Sequence, residues 1–442
     1  MLDLSQANCL LADTARRPQG FNPLTRANVW PIRGTAALRS TEPLGAPRRT
    51  TAPANRAVAI LGAGNGGLAL AAYLAQAGCR VTLWNRTAER IASVAARGGI
   101  DLTLPGATPV HVPIAGATAD IAAALSGSRL VLVAVPASGH ADVARACAPY
   151  LRDGHTVLLL PGRTGGTLEF QRVLRECGCH ADILLGEANT FPLAARGVGP
   201  AAAVVFGAKD EVNAAALPAE RTGELLANWQ PVLPMLAAAR SVLHTGLANV
   251  GAILHPVITL LNADRIVSAT PFDFYAEGVT PEVAAVLADA DAERLRIARA
   301  YHVTTDSIPQ WIAAAYGHHG ATMQAAVAGN PSYVGIKAPT TIRHRYLLED
   351  VPTGLVPLIA LANAAGMSAP TLTRLVGLAR QTLGGELWQR PRTLAALGLQ
   401  GMGVSAIRAL VESDGRRKAE PHRVAAWQTH RDADIGGQRV SA

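Results

Sequence analysis

Three polar positions in the apolar second half of this 442-residue chain could move a proton or hold an acid. His255 lies in NVGAILHPVITLLN and is followed by Pro256 inside a helical pattern. An imidazole titrates near neutral pH and serves as a general acid or base. A proline inside a helix costs about 3 kcal/mol and marks a kink kept for packing or function. Asn262, seven positions on, shares the helix face of His255. In His344-Arg345-Tyr346-Leu347-Leu348-Glu349-Asp350, Arg345 is a forked donor suited to a carboxylate. Asp350 is an acid able to orient an imidazole and stabilise its charge. Positions five apart on a regular helix diverge by about 140°, so the two meet one site only if the segment is irregular. Val351-Pro352-Thr353-Gly354 makes that irregularity plausible. Plainer readings stand beside these: a core histidine, and a charged turn in solvent. Arg163, in Pro161-Gly162-Arg163-Thr164-Gly165-Gly166, could hold a cofactor phosphate or a substrate carboxylate, or be an ordinary loop residue. His318-His319 has no third ligand at metal spacing, so no metal is expected.

The element that organises these groups is Ala57–Arg86, AVAILGAGNGGLALAAYLAQAGCRVTLWNR. A short apolar strand breaks at Gly62-Ala63-Gly64-Asn65-Gly66-Gly67, helical spacing runs to Ala77, and Arg80–Trp84 forms a second strand. This is a βαβ unit with the G-x-G-x-x-G fingerprint of dinucleotide binding. Gly62 permits the tight turn, Gly64 lets a pyrophosphate approach, and Gly67 lets helix and strand pack closely. The helix N-terminus offers free N–H groups to the phosphates. At the second strand's end, where an NAD-preferring unit carries an acid for the ribose 2′-hydroxyl, this chain has Asn85-Arg86. Asn85 lacks the repelling charge and Arg86 can pair with a 2′-phosphate, so NADP is expected, with NAD possible as well.

Alternating β and α elements continue from there. Arg129–Val135 reads as a buried parallel strand ending at Pro136-Ala137-Ser138-Gly139-His140, and His155–Leu160 as the next, ending at the Arg163 loop. Both turns fall at strand C-termini, where open α/β sheets place ligands. Ile183–Leu185 and Ala202–Phe206 continue the strands, which predicts a doubly wound parallel sheet. Beyond it only helical spacing remains: Leu247–Asn262, Pro281–Tyr301, Ile308–Tyr316, Pro357–Ala364 and Thr371–Leu383. The expected layout is a disordered basic extension (1–55), a dinucleotide-binding domain (56–240), an all-helical substrate domain (241–412) and a polar, disordered tail (413–442).

Composition narrows the class. Net charge is +8, but residues 1–55 carry seven arginines against Asp3, Asp13 and Glu42, so half of the excess sits in that extension. The high pI is therefore no nucleic-acid signature. The extension fits a disordered tail, a transit peptide or a start-site artefact, although no Met falls between Met1 and Met235. No apolar run reaches the ~18 residues of a membrane span. The five scattered cysteines fit reduced thiols in a cytoplasm.

The chain resembles the opine dehydrogenase family, of the NAD/NADP octopine and nopaline dehydrogenase type. The matching stretches are AVAILGAGNGG, VAVPASGH, LLLPGRTGG, VVFGAKDEV, ILHPVITLLNA, FDFYAEGVTPEV, GIKAPTTIRHRYLLEDVPTGLVPL and RTLAALGL, in the family's order across about residues 56–400. The resemblance implies that His255 is the catalytic acid/base, Asp350 its partner and Arg345 the clamp for a keto acid's carboxylate. It implies a Rossmann domain followed by a helical domain of the 6-phosphogluconate dehydrogenase C-terminal type. The implied reaction joins an α-keto acid to the amino group of an amino acid through an imine reduced by NAD(P)H, or reverses it. Small molecules are then the partners, with no nucleic acid or membrane, and the protein is a monomer or homodimer. The alternatives are a single-substrate keto-acid or 2-hydroxy-acid reductase of the same architecture, and a non-catalytic NADP-binding protein. Related reductases generally use a lysine at the catalytic place, where this helix offers Asn249 and His255.

Overall fold

The structure, a computed structural model, describes residues 56–384 and 390–413. The expected N-terminal extension, with its half of the excess charge, and the polar tail from 414 onward lie outside the described residues.

Eight strands form the main sheet in the order Leu236–Ala238, Val212–Leu217, Leu184–Ala188, Thr156–Leu159, Leu130–Val133, Ala57–Leu61, Arg80–Trp84, Gly116–Thr118. Neighbours run parallel except Val212–Leu217, which lies antiparallel to Leu184–Ala188. Ala57–Leu61 has Arg80–Trp84 on one side and Leu130–Val133 on the other. The strand order reverses there, so a crevice opens at the carboxyl ends. Val58, Ala59, Ile60 and Leu61 are fully buried, as continuous apolar strands covered on both faces must be.

One expectation is corrected. Ala202–Ala208 does not continue the main sheet but belongs to a second sheet of four strands, ordered Val110–Pro113, Gly99–Thr103, Ala202–Ala208, Leu193–Gly199. Its strands alternate buried and open positions because only one face is covered, by the helix Asn65–Gln76. The Gly199↔Ala202 pairing closes a hairpin over Pro200-Ala201.

From Val242 onward the described chain is helical, and its core runs into the sheet half through Leu168, Ala215 and Leu217. The helix expected over Leu247–Asn262 is two, Val242–Leu247 and Gly251–Leu261, separated by Ala248-Asn249-Val250. Two stretches, Val242–Leu261 and Arg345–Ala364, are long and apolar enough to cross a membrane, which the run-length reading had not anticipated; both are mostly buried within this core.

Candidate active site

The glycine turn is held in a form only glycine allows. Gly62 has φ +121°, and a Cβ there would lie 2.6 Å from the Ala134 carbonyl oxygen. A Cβ on Gly67 would lie 1.8 Å from the Gly62 oxygen, so helix and strand approach as closely as the fingerprint requires. Gly64, the N-cap of Asn65–Gln76, faces open space and provides no side-chain cap, which leaves first-turn amides for an anion. A Cβ on Gly66 would meet the Phe191 ring at 2.8 Å, which brings the loop after Leu184–Ala188 onto the turn. Asn65 accepts from Gly197 N at 3.2 Å and ties the turn to the hairpin. Asn85 Oδ1 accepts from Ala63 N at 3.3 Å and its amide donates to Thr87 O. Arg86 is largely exposed, 3.6 Å from Asp142, and Pro136 sits exposed beyond Leu130–Val133. This cradle fits a dinucleotide: two glycines admit no Cβ, and the helix terminus is uncapped.

Across the crevice, His255 Nδ1 lies 2.7 Å from Asp350 Oδ2. Two glycines make this meeting possible. A Cβ on Gly354 would lie 2.6 Å from Ala252 Cβ, so the segment after Asp350 presses onto the helix that carries His255. A Cβ on Gly251 would crowd His255 Cε1 and Arg163 Nη1 at 3.3 and 3.4 Å. The segment is irregular, the condition under which Arg345 and Asp350 could meet one site. Arg345–Leu348 is a single α-helical turn, and Val351–Leu355 is π-helical. Such π-turns occur mostly singly and often at functional sites.

Asp350 is almost fully buried. Burial pushes its carboxyl up, but the Arg163 guanidinium and the His255 ring outweigh that and hold it below the ordinary carboxylate value. An ionised Asp350 accepts Nδ1–H and leaves His255 Nε2 as the basic atom. Tyr346 stacks on the imidazole at 4.3 Å, its phenol pushed up to about 12 by burial, so that face of the ring is neutral and apolar. Arg163 enters from the sheet half: Nη2 is 3.9 Å from Asp350 Oδ1, Nε 3.8 Å from Glu349 Oε1, and Nη1 donates to Asn249 Oδ1 at 3.3 Å. Its φ of +60° is uncommon for a residue with a side chain and directs the guanidinium into the cleft.

Arg345 is placed differently from the simplest expectation. Its guanidinium is held by Glu349, with Nη2 at 2.8 Å from Oε2, and more than half of its side chain is exposed. Asn262 does not join the cluster. Its amide donates to the Ile258 and Gly278 carbonyls at 2.9 Å each and closes the helix end, so both donors are in use and its geometry gives no support for substrate binding. Among the described residues no group of His, Cys, Asp and Glu gathers at metal-binding geometry, and His318 instead meets Ala325 O.

Sequence reasoning gave no role to several groups that shape the site. Glu349 bridges Arg345 and the Ala137 amide, and its place beside Asp350 was a signal. Arg392 gave none. Fully buried, it bonds Glu169 at 2.9 Å, the Gly162 and Thr164 carbonyls at 3.0 Å, the Ala137 carbonyl and His140 Nδ1. One side chain thus fixes both ligand-facing turns. His140 accepts that bond as a neutral ring, because burial, then Arg392 and Arg163, hold its pKa well below the ordinary value.

A dinucleotide cradle facing a histidine–aspartate pair on a helical domain defines an NAD(P)-dependent oxidoreductase. Residues 57–170 match the family described as NAD-dependent glycerol-3-phosphate dehydrogenase N-terminus. Residues 238–383 match the family described as NAD/NADP octopine/nopaline dehydrogenase, alpha-helical domain. An opine dehydrogenase of Arthrobacter sp. (strain 1C) is 40% identical over 359 residues, 81% of this chain and 99% of that protein. The protein ocs of Agrobacterium tumefaciens (strain Ach5) is 28% identical over 79% of this chain and 97% of its own length. Octopine dehydrogenase solved with NADH and L-arginine shares the fold at a TM-score of 0.67 and 22% identity, covering 81% and 99% of the two chains. Yersinopine dehydrogenase with NADP+ bound does so at 0.60 and 19%, covering 81% and 98%. The chain belongs to the opine dehydrogenase family, whose members are NAD(P)-dependent oxidoreductases acting on CH–NH donors.

Proposed function

We propose that this chain reductively joins an α-keto acid to the amino group of an amino acid with NADPH, or oxidises the product in reverse, through His255, Asp350 and Arg345. The observation that carries the reading is the 2.7 Å contact of His255 with a buried, ionised Asp350 in the crevice facing the glycine turn. The turn at Gly62, Gly64, Gly66 and Gly67 would hold the pyrophosphate, with Asn85 and Arg86 at the adenosine end and Pro136 along the crevice. When bound, the cofactor supplies the hydride that turns the imine into a secondary amine.

The chain's own groups do the rest. His255 Nε2 takes the proton that the amine sheds as it attacks the keto carbon, and returns one as water leaves. Asp350 keeps the ring in the Nδ1–H tautomer and stabilises the imidazolium. Arg345, steadied by Glu349, grips the keto acid's carboxylate and presents the reacting carbon, which is catalysis by positioning. A cytoplasmic setting accords with the free Cys79, Cys147, Cys177 and Cys179.

The test is NADPH oxidation with pyruvate, glyoxylate and 2-oxoglutarate, each crossed with a panel of amino acids. Turnover is expected only when both substrates are present. Turnover with a keto acid alone would replace this reading with a single-substrate reductase.

A further inference from the structure

An opine carries two carboxylates, one on each side of its secondary amine, and Arg345 accounts for one of them. We propose that Lys209, with Arg163 beside it, receives the second, the carboxylate of the amino-acid substrate. This rests on the two-substrate reading above.

Placement comes first. Lys209 follows Ala202–Ala208, and its backbone N–H donates to Pro192 O at 2.9 Å, at the base of the hairpin. Its ammonium donates to Thr190, in the loop that leaves Leu184–Ala188 at the carboxyl end of the sheet. The neighbouring strand there is Thr156–Leu159, whose own loop carries Arg163. The two loops are joined by Gly162 N donating to Ala188 O at 3.0 Å. Lys209 thus stands on the sheet side of the crevice, beside the cation that touches Asp350, while Arg345 stands on the helical side.

Unused bonding capacity points to an anion. An ammonium has three donors, and Thr190 takes one. Among the described residues Lys209 meets no carboxylate, whereas Lys337, the other described lysine, is paired with Asp273. Burial, and then the Arg163 charge, press the Lys209 pKa down to about 8, so the ammonium is still mostly charged at neutral pH. Arg163 Nε is buried with no hydrogen-bond partner. Arg163 already faces Asp350 and Glu349, but among the described residues Lys209 has no carboxylate of its own, and a half-buried ammonium beside a second cation is costly unless an anion joins it. A carboxylate bridging them would be stabilised by charge-assisted bonds, with the amine of the same molecule directed toward His255.

Matched pairs of substrates test this: L-arginine against agmatine and L-phenylalanine against 2-phenylethylamine, each with pyruvate and NADPH. The wild-type enzyme should prefer the amino acid over its decarboxylated partner by on the order of 10- to 100-fold in kcat/KM, the scale of a charge-assisted contact. Lys209→Met should shrink that preference to a few-fold by raising KM for the amino acid. KM for pyruvate and the NADPH Kd, read by fluorescence titration, should stay within about 2-fold. Lys209→Arg should keep most of the preference, and it carries the test alone if the Met variant fails to melt cooperatively. A Met variant with the full preference, an Arg variant that loses it, or a loss confined to NADPH binding would each overturn the proposal. Wild-type turnover without any amine would overturn the functional reading instead.

Discussion

His255 and Asp350, 95 positions apart in sequence, share a 2.7 Å hydrogen bond, with Asp350 standing immediately before the π-helical segment Val351–Leu355. Because Asp350 is ionised and buried, the two should act as one unit. His255→Asn should lose about 10²–10⁴ in kcat, the usual scale of general acid–base catalysis, with NADPH affinity unchanged. Asp350→Asn should also lower kcat, and the double variant should lose less than the product of the two. Steady-state kinetics of the four proteins decides this; multiplicative losses would argue against a working pair.

Arg345→Lys should be damaging although the charge is kept, because an ammonium lacks the planar two-point donor. The expected loss is roughly 10²-fold in kcat/KM, carried by KM for the keto acid. Glu349→Gln should give a smaller loss of the same kind, since it releases the guanidinium it steadies. Equal rises in KM for keto acid and amino acid would place Arg345 elsewhere.

At the adenosine end, wild-type kcat/KM should favour NADPH over NADH. Asn85→Asp with Arg86→Ala should reverse that by restoring an acceptor for the 2′-hydroxyl and removing the phosphate partner. Asn85 also holds the Ala63 amide, so Asp in its place preserves an acceptor for the turn. A wild-type preference for NADH would refute the assignment.

Lys209 gives a pH-dependent prediction about stability. Its folded pKa, about 8, lies below the unfolded value near 10.5. Between those values the unfolded chain holds the proton that the folded chain has released, so stability from this group rises with pH across that window. Below pH 8 the folded state bears the full burial penalty. Lys209→Met should therefore melt higher than wild type at pH 7, by roughly 1–2 kcal/mol or a few degrees. The gap should close toward pH 10.5. A constant gap would mean the ammonium is well solvated.

Arg392→Met should destabilise the protein by about 3–5 kcal/mol, because it strands the buried Glu169 carboxylate and three loop carbonyls. Adding Glu169→Gln should recover part of that. Denaturant titration measures both; no recovery would mean the loop carbonyls account for most of the loss.

Much of this molecule was legible because its signals are local. The glycine turn, the strand ends beside it, and the helices starting at Pro281 and Ile308 each follow from neighbouring residues. Thr280 caps the first of those helices and Ser307 the second. The spacing of Arg345 and Asp350 made irregularity the condition for their sharing a site, Val351-Pro352-Thr353-Gly354 pointed to it, and the segment is irregular. What escaped depends on distant partners. Nothing within ten residues of Arg392 says that it will be buried among two loops of the other domain. Asn262 shares a face with His255 by periodicity, yet the Gly278 carbonyl, set by tertiary packing, claims its amide. The hairpin of Leu193–Gly199 and Ala202–Ala208 has strand periodicity, which says nothing about which sheet a strand joins.

Arg392 also sets an order of events for a chain made from its N-terminus. The Gly162 carbonyl is synthesised 230 residues before the guanidinium that binds it. The nucleotide half leaves the ribosome early and can fold as a unit, but its two crevice turns must wait, their carbonyls in water, until almost the whole helical half has been translated. Shaping of the crevice thus waits until Arg392 has been made, and a chain ending before it would carry a sheet with its ligand turns unset.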